Sequence, residues 1–160
     1  LRRWLLSKKD RRRLREAVER ELPGLEVPGH VEVIVEDGVK LYLFEDIPAL
    51  IEDEELGRLV PHLMYLLRRG YNWLPVVIVD EGAVKPISRG ADLMRPGIVE
   101  TRGQFGKGGL FVVVEPSRGL PLAVHEALYS SEEVLAMEKG RVSRSLHHVG
   151  DKYWKLGQQL

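Results

Sequence analysis

Apolar residues recur every four positions at Leu14, Val18 and Leu22, which places one apolar stripe along a helix. Ser7-x-x-Asp10 resembles a capping box with Asp in place of Glu at its start, and Pro23-Gly24 ends it. The opposite face is rich in arginine and fits a solvated surface better than an RNA-binding one. Val31, Val33 and Val35 then alternate with polar residues, as in a half-buried strand. Asp37-Gly38 is a hairpin turn signal, and Val39, Leu41 and Leu43 continue the alternation on the return strand. Residues 45–55 read as an acidic, looser stretch. Pro61 suits the first position of a helix that carries Leu63, Met64, Leu66 and Leu67, runs to about Arg69 and stops at Gly70. Residues 1–73 thus form a small α+β unit.

Strand patterns dominate the rest. Residues 76–79 are a continuous apolar run after Pro75, and Glu81-Gly82 turns into a second strand over 83–87. A short helix is expected at about 89–94, followed by a type II turn at Arg95-Pro96-Gly97. Strands follow at 110–114 and 120–126, with Pro121 near a strand start where a missing N–H is tolerated. Ser130-x-x-Glu133 is a capping box for a helix ending near Lys139-Gly140. Strands over 141–148 and 152–154 complete the set. Several short strands with two small helices point to a closed or nearly closed mixed β-barrel. The fold class is therefore α+β in two domains, 1–74 and 75–160, with the boundary near Leu74-Pro75. No internal repeat or low-complexity segment is visible.

Length and composition agree with two small domains. The chain has 160 residues, of which 44% are hydrophobic and 30% charged. No run of 18 apolar residues exists that would make a transmembrane helix. The absence of cysteine excludes disulfides, thiol nucleophiles and cysteine zinc sites, and a cytosolic protein is the simplest expectation. Asn72 is the sole asparagine, which resembles thermophile usage. The formal net charge of zero conceals an asymmetry. Residues 1–20 carry nine Lys/Arg and three Asp/Glu, a balance of +6. Residues 21–60 stand at −9 and residues 61–160 at +3. Local patches set the field, so neutrality does not argue against a nucleic-acid ligand.

Enzyme constellations are weak. His30, His62, His125, His147 and His148 are scattered, and none has a ligand spacing. His147 and His148, adjacent on a strand, should face opposite sides. Ser130 and Ser131 fit helix caps better than nucleophiles. Residues 102–109 look like a phosphate loop, but Thr101 stands where a Walker sequence needs glycine. Gly108 stands where it needs Ser or Thr, which excludes an NTPase of that type. That stretch reads equally as a plain turn or as one that offers Lys107 to RNA. The most informative segment is 85–98. A glycine-opened helix start flanked by Lys85, Arg89 and Arg95 has the makings of an anion clamp. On spacing alone, Ser88 serves equally as a plain cap and Arg95-Pro96-Gly97 as a plain turn.

Gly90-Ala91-Asp92-Leu93-Met94-Arg95-Pro96-Gly97-Ile98 resembles the signature of the PUA domain, the RNA-binding barrel named after pseudouridine synthases and archaeosine transglycosylases. Supporting motifs follow the same order. Asp80 to Lys85 resembles the entry strand, and Phe105 to Val113 the aromatic-to-glycine turn and central strand. Pro121 to Val124 with Ala127 to Glu133 resembles the next strand and helix, and Gly140 with His147 to Trp154 the closing strands. The match covers about residues 74–155. A small α+β domain joined to a C-terminal PUA domain is similar to the malignant-T-cell-amplified-sequence family and its archaeal relatives. Two residues depart from the pattern. Gly109 replaces a frequent Asp, and His125 replaces a frequent Gly, where a side chain is expected to crowd RNA if its strand lies along the groove.

The resemblance implies an N-terminal α+β (pre-PUA) domain and a PUA-type pseudo-β-barrel in a non-catalytic RNA-binding protein without cofactor or metal. The implied ligand is structured RNA, foremost the tRNA acceptor end, with small-subunit rRNA, the small ribosomal subunit and a translation-factor partner as further contacts. No membrane contact is implied. The implied RNA-binding residues are Lys85, Ser88, Arg89, Gly90, Ala91, Asp92, Leu93, Met94, Arg95, Pro96, Gly97 and Lys107. Gly90, Ala91 and Asp92 would offer backbone at a helix start, the three cations would neutralise phosphates, and Gly97 would allow close approach. Tyr129 and Trp154 are conceivable stacking platforms, with core packing the commoner fate of such residues. Two other readings stay open: an accessory that delivers RNA to a separate modifying enzyme, and a small-molecule enzyme.

Overall fold

The computed structural model describes residues 1–160, which form two five-stranded sheets. The first is an antiparallel meander of β1 (Arg2–Leu5), β2 (Val31–Glu36), β3 (Val39–Phe44), β4 (Ile47–Glu52) and β5 (Val60–Pro61). Helix α1 (Lys8–Glu21) begins where Ser7 Oγ accepts the Asp10 N–H at 3.1 Å, and it buries Leu14 and Val18 as the periodicity requires. The β2–β3 hairpin turns through Asp37 (φ 50°) and Gly38 (φ 80°), the two left-handed residues of a type I′ turn. β1 had no alternation strong enough to announce it. Residues 45–55 are a correction. They contain β4, whose Ile47, Ala49, Leu50 and Ile51 are buried, because a strand covered on both faces reads as an unbroken apolar run rather than an alternation. Pro61 is a second correction. It closes β5, and helix α2 (Leu63–Arg69) starts two residues later with His62 as its cap. Gly70 ends α2 at φ 88°.

The second sheet has the order β10-β9-β8-β6-β7 and is mixed. β6 (Val76–Val79) pairs parallel with β8 (Leu110–Val114), while β7 (Ile98–Arg102), β9 (Pro121–Ala127) and β10 (Ser143–His148) pair antiparallel with their neighbours. The two sheet edges meet just before β7 and β10. There Val142 N–H donates to Leu93 O at 2.9 Å, Arg95 N–H donates to Gly140 O at 2.8 Å, and Met94 bridges Arg141. These contacts close the sheet into a pseudo-barrel filled by Val77, Ile87, Leu93, Phe105, Phe111 and Val113. Helix α4 (Ser131–Ala136) starts on the expected capping box, with both reciprocal bonds formed, but ends before Lys139. Residues 152–154 belong not to a strand but to helix α5 (Lys152–Gly157), which Asp151 caps by accepting the Trp154 N–H.

The two sheets share one apolar cluster. Val76, Leu110, Val112, Val124 and Leu146 of the second sheet pack into it with Leu41, Leu50, Leu63 and Leu66 of the first unit, and Tyr153 and Leu156 of α5 join them. Polar contacts fix the junction. His147 Nε2 accepts the Leu63 N–H at 3.0 Å, so its Nδ1 carries the proton that it donates to Asp151 at 2.8 Å. His62 Nδ1 accepts the Met64 N–H, so its Nε2 donates to Tyr153 O at 2.9 Å. Arg58 reaches across to Gly108 O and to Glu126 at 3.0 Å. Tyr71 Oη donates to Gly119 O at 2.6 Å, and a Cβ on Gly119 would lie 2.8 Å from that hydroxyl, so the approach requires glycine.

Candidate nucleic-acid interface

The segment 80–97 forms one structural unit, built differently from its sequence reading. Residues 83–87 are not a strand. They lie in helix α3 (Glu81–Ser88), which Asp80 caps by accepting the Ala83 N–H at 3.0 Å. Pro86 hid this helix, because proline in a helix removes a hydrogen bond. It is tolerated in the last turn of a short helix. Residues 89–94 are accordingly not a helix but the irregular exit from α3.

This reverses the backbone polarity expected at the clamp. The N–H groups of Arg89, Gly90 and Ala91 donate to Lys85 O, Ile87 O and Pro86 O, at 3.2, 3.1 and 3.0 Å. They are spent on ending the helix, and a helix C-terminus carries partial negative charge. Gly90 and Ala91 therefore do not open a helix that could cradle phosphate with its free N–H groups. Ser88 does not cap a helix start either, since its Oγ donates back to Lys85 O at 2.9 Å. The charge at this segment is carried by side chains.

The side chains divide sharply. Lys85 and Arg89 are exposed, Arg95 is half-buried, and none of the three has a carboxylate partner. Arg95 Nε is enclosed without a hydrogen-bond partner, as is Nε of Arg58 at the junction. Asp92 is a brace: its carboxylate accepts the Ser145 N–H at 2.8 Å and Arg141 Nη1 at 3.0 Å. Leu93 is 1% exposed and belongs to the barrel core, whereas Met94 and Pro96 face outward.

Both glycines permit packing. Gly90 has φ 99°, and a Cβ there would stand 2.9 Å from His148 Nε2. His148 Nδ1 donates to Ser88 O at 3.1 Å and to Val149 O at 2.8 Å, which fastens the exit loop to β10. Arg95–Gly97 is a 3₁₀ turn, and Gly97 lacks the positive φ that a type II turn demands. A Cβ on Gly97 would lie 3.3 Å from Ala83 Cβ, so its bareness serves the seating of α3.

Lys107 is exposed on the 103–109 turn, a separate element tied to α4 by Phe105 and Ser131. Within that turn a Cβ on Gly109 would meet Gly106 O at 3.0 Å. His125 points inward, contrary to the expectation that it crowds a ligand. It is fully buried, pairs through Nδ1 with Ser143 Oγ at 2.7 Å and lies 5.9 Å from the Phe111 ring. Burial pushes its pKa down to about 4. His147 and His148 do diverge, the first toward α2 and the second toward the α3 exit. Trp154 stacks on His62 at the junction, with centroids 6.4 Å apart, while Tyr129 is exposed. Arg141 and Lys139 were missed as neighbours of Met94 and Arg95, because nothing in the sequence announces the pairing of those two segments.

Comparison with known proteins agrees with this architecture. The PUA domain model matches residues 75–149, and the model described as a domain of unknown function (DUF1947) matches residues 2–69. An uncharacterised protein of Methanocaldococcus jannaschii is 31% identical over 159 residues, covering 95% of this chain and 94% of the relative. Translation machinery-associated protein 20 of Saccharomyces cerevisiae is 28% identical over 125 residues, covering 74% and 67%. A probable tRNA pseudouridine synthase B of M. jannaschii is 37% identical over 89 residues, covering 56% of this chain and 25% of the synthase. The crystal structure of a PUA domain protein from Aeropyrum pernix K1, in complex with tartrate, superposes with a TM-score of 0.87 at 29% identity, covering 98% of this chain and 92% of that one. The chain belongs to the family of PUA-domain proteins that carry a DUF1947 domain ahead of an RNA-binding PUA domain.

Proposed function

We propose that this protein is a non-catalytic RNA-binding factor of translation that grips structured RNA, foremost the acceptor end of tRNA, through the segment 85–97 of a PUA unit spanning 75–160. The observation that carries this reading is the set Lys85, Arg89 and Arg95 on one continuous segment, each without a carboxylate partner. Cations left unpaired in this way neutralise phosphates, which positions RNA without reading its sequence. Lys107 adds a fourth unpaired charge from the separate 103–109 turn. The name of the yeast relative, a translation machinery-associated protein, favours translation. The partners proposed with this reading are the small ribosomal subunit and a translation factor, and the location proposed is the cytoplasm.

Arg95→Ala should weaken RNA binding across sequences and lower the slope of log K against log salt by roughly one phosphate's worth. An unchanged slope would remove Arg95 from the phosphate contacts. A second reading, delivery of RNA to a separate modifying enzyme, is favoured by the synthase match over the PUA portion. Affinity purification from cells separates the two: ribosomal subunits accompany the first, a modifying enzyme the second.

A further inference from the structure

We infer that Met94, Arg141 and Tyr129 form a stacking platform for unpaired RNA bases, continuous with the cationic segment. The inference rests on the RNA-binding reading of residues 85–97 and adds to it the class of RNA held: a single strand with splayed bases. Three chain segments meet at this spot. The Met94–Arg141 bridge joins two of them, and the Leu128 N–H, donating to Val142 O at 2.9 Å, joins the third. Leu93 and Val142 turn into the barrel core at 1% exposure each, and their neighbours Met94 and Arg141 are left outside.

Met94 is 49% exposed and Tyr129 39%, and the Tyr129 hydroxyl makes no hydrogen bond within the chain. One apolar thioether, one phenol ring and one guanidinium plane are surfaces on which bases stack irrespective of sequence. Across residues 89–97 and 137–145 there are five Lys/Arg and two Asp/Glu, with Asp92 engaged by Arg141 and the Ser145 N–H, while the Tyr129 segment (125–133) adds Glu126, Glu132 and Glu133, the first held by Arg58 and Arg144 and the last by the Ser130 N–H. Arg89, Arg95 and Lys139 are the cations here that have no carboxylate partner. The Asp92 contact holds the Arg141 guanidinium in place, with its side chain still 54% exposed. Phosphates neutralised by Arg89 and Arg95 would thus lead the following bases onto the platform.

Fluorescence anisotropy with the full chain tests this. The probes are a labelled single-stranded RNA about a dozen nucleotides long and a blunt RNA duplex of the same length, each titrated at several salt concentrations. Tyr129→Ala should bind the single strand about tenfold more weakly, with an unchanged salt slope, and bind the duplex as the parent does. Tyr129→Phe should retain the parent affinity, because the ring and not the hydroxyl is used. Equal losses on single strand and duplex, or a loss in Tyr129→Phe matching that of Tyr129→Ala, would overturn the platform. So would a Tyr129→Ala variant that binds like the parent while Arg95→Ala is weakened, an outcome that leaves the phosphate reading standing. A parent that binds neither RNA removes both.

Discussion

His62 and His125 are buried neutral, and each for a legible reason. His62 uses both ring nitrogens, one accepting from Met64 and one donating to Tyr153, so a second proton would have no acceptor. Burial, reinforced by nearby His147, pushes its pKa down to about 3, and burial holds His125 near 4. In the unfolded chain both titrate near 6.5. Below that value the unfolded state binds protons that the folded state refuses, so stability falls as pH drops, and the loss continues until the folded-state values are reached. Each histidine should cost roughly 1.4 kcal/mol per pH unit across that window. Urea denaturation between about pH 7 and about pH 5 should therefore show a falling midpoint. A flat profile would mean that neither ring is held neutral in the fold, and half the expected slope that only one of them is. The adjacent Asp151 shifts the same way for a different reason, and its contribution too is lost as pH falls through its folded-state value. Burial would raise its carboxyl, but hydrogen bonds from His147 and two backbone N–H groups outweigh burial and hold it below its usual value.

At the scale of elements, the legible parts were those whose signal is local. The α1 stripe, the Asp37-Gly38 turn and the Ser130 capping box each lie within a few residues of one another in sequence, and each formed. The failures have separate causes. Pro86 masked α3, the acids flanking β4 masked a doubly covered strand, and β1 exists because β2 pairs with it. The site followed the same division. Its exposed cations could be read directly, whereas the bracing role of Asp92 depends on Arg141 and Ser145, some fifty residues away. Two cap variants turn this contrast into a measurement. Asp80→Ala and Ser7→Ala should each lower stability by about 1 kcal/mol in urea unfolding. Only Asp80→Ala should also weaken RNA binding, because α3 carries Lys85 and leads into Arg89, whereas Ser7 caps α1. Equal effects on RNA from both variants would detach α3 from the interface.

For the whole molecule, the shared apolar cluster and the polar junction make the two units one cooperative body. Thermal unfolding should show a single transition, and Arg58→Ala should lower stability by about 1–3 kcal/mol by leaving Glu126 and Gly108 O without their charged partner. Two resolved transitions in the parent would show that the junction is weaker than its contacts imply. A rigid junction also fixes the proposed RNA surface relative to the first sheet, so whatever the N-terminal unit docks against would set the orientation of any RNA held there.

The return of α5 to the first unit has a consequence in time. His62 waits for the carbonyl of Tyr153, 91 positions downstream, and Gly157 packs so tightly that a Cβ would stand 3.1 Å from the His62 ring. At the usual rate of synthesis, about 5–20 residues per second, His62 is made roughly 5–18 s before Tyr153. During that interval α2 lacks both its His147 and its Tyr153 contacts, and the apolar cluster is open. The unit synthesised first is thus the one finished last, and a nascent chain stalled within the barrel would expose Leu63 and Leu66 to any chaperone in reach.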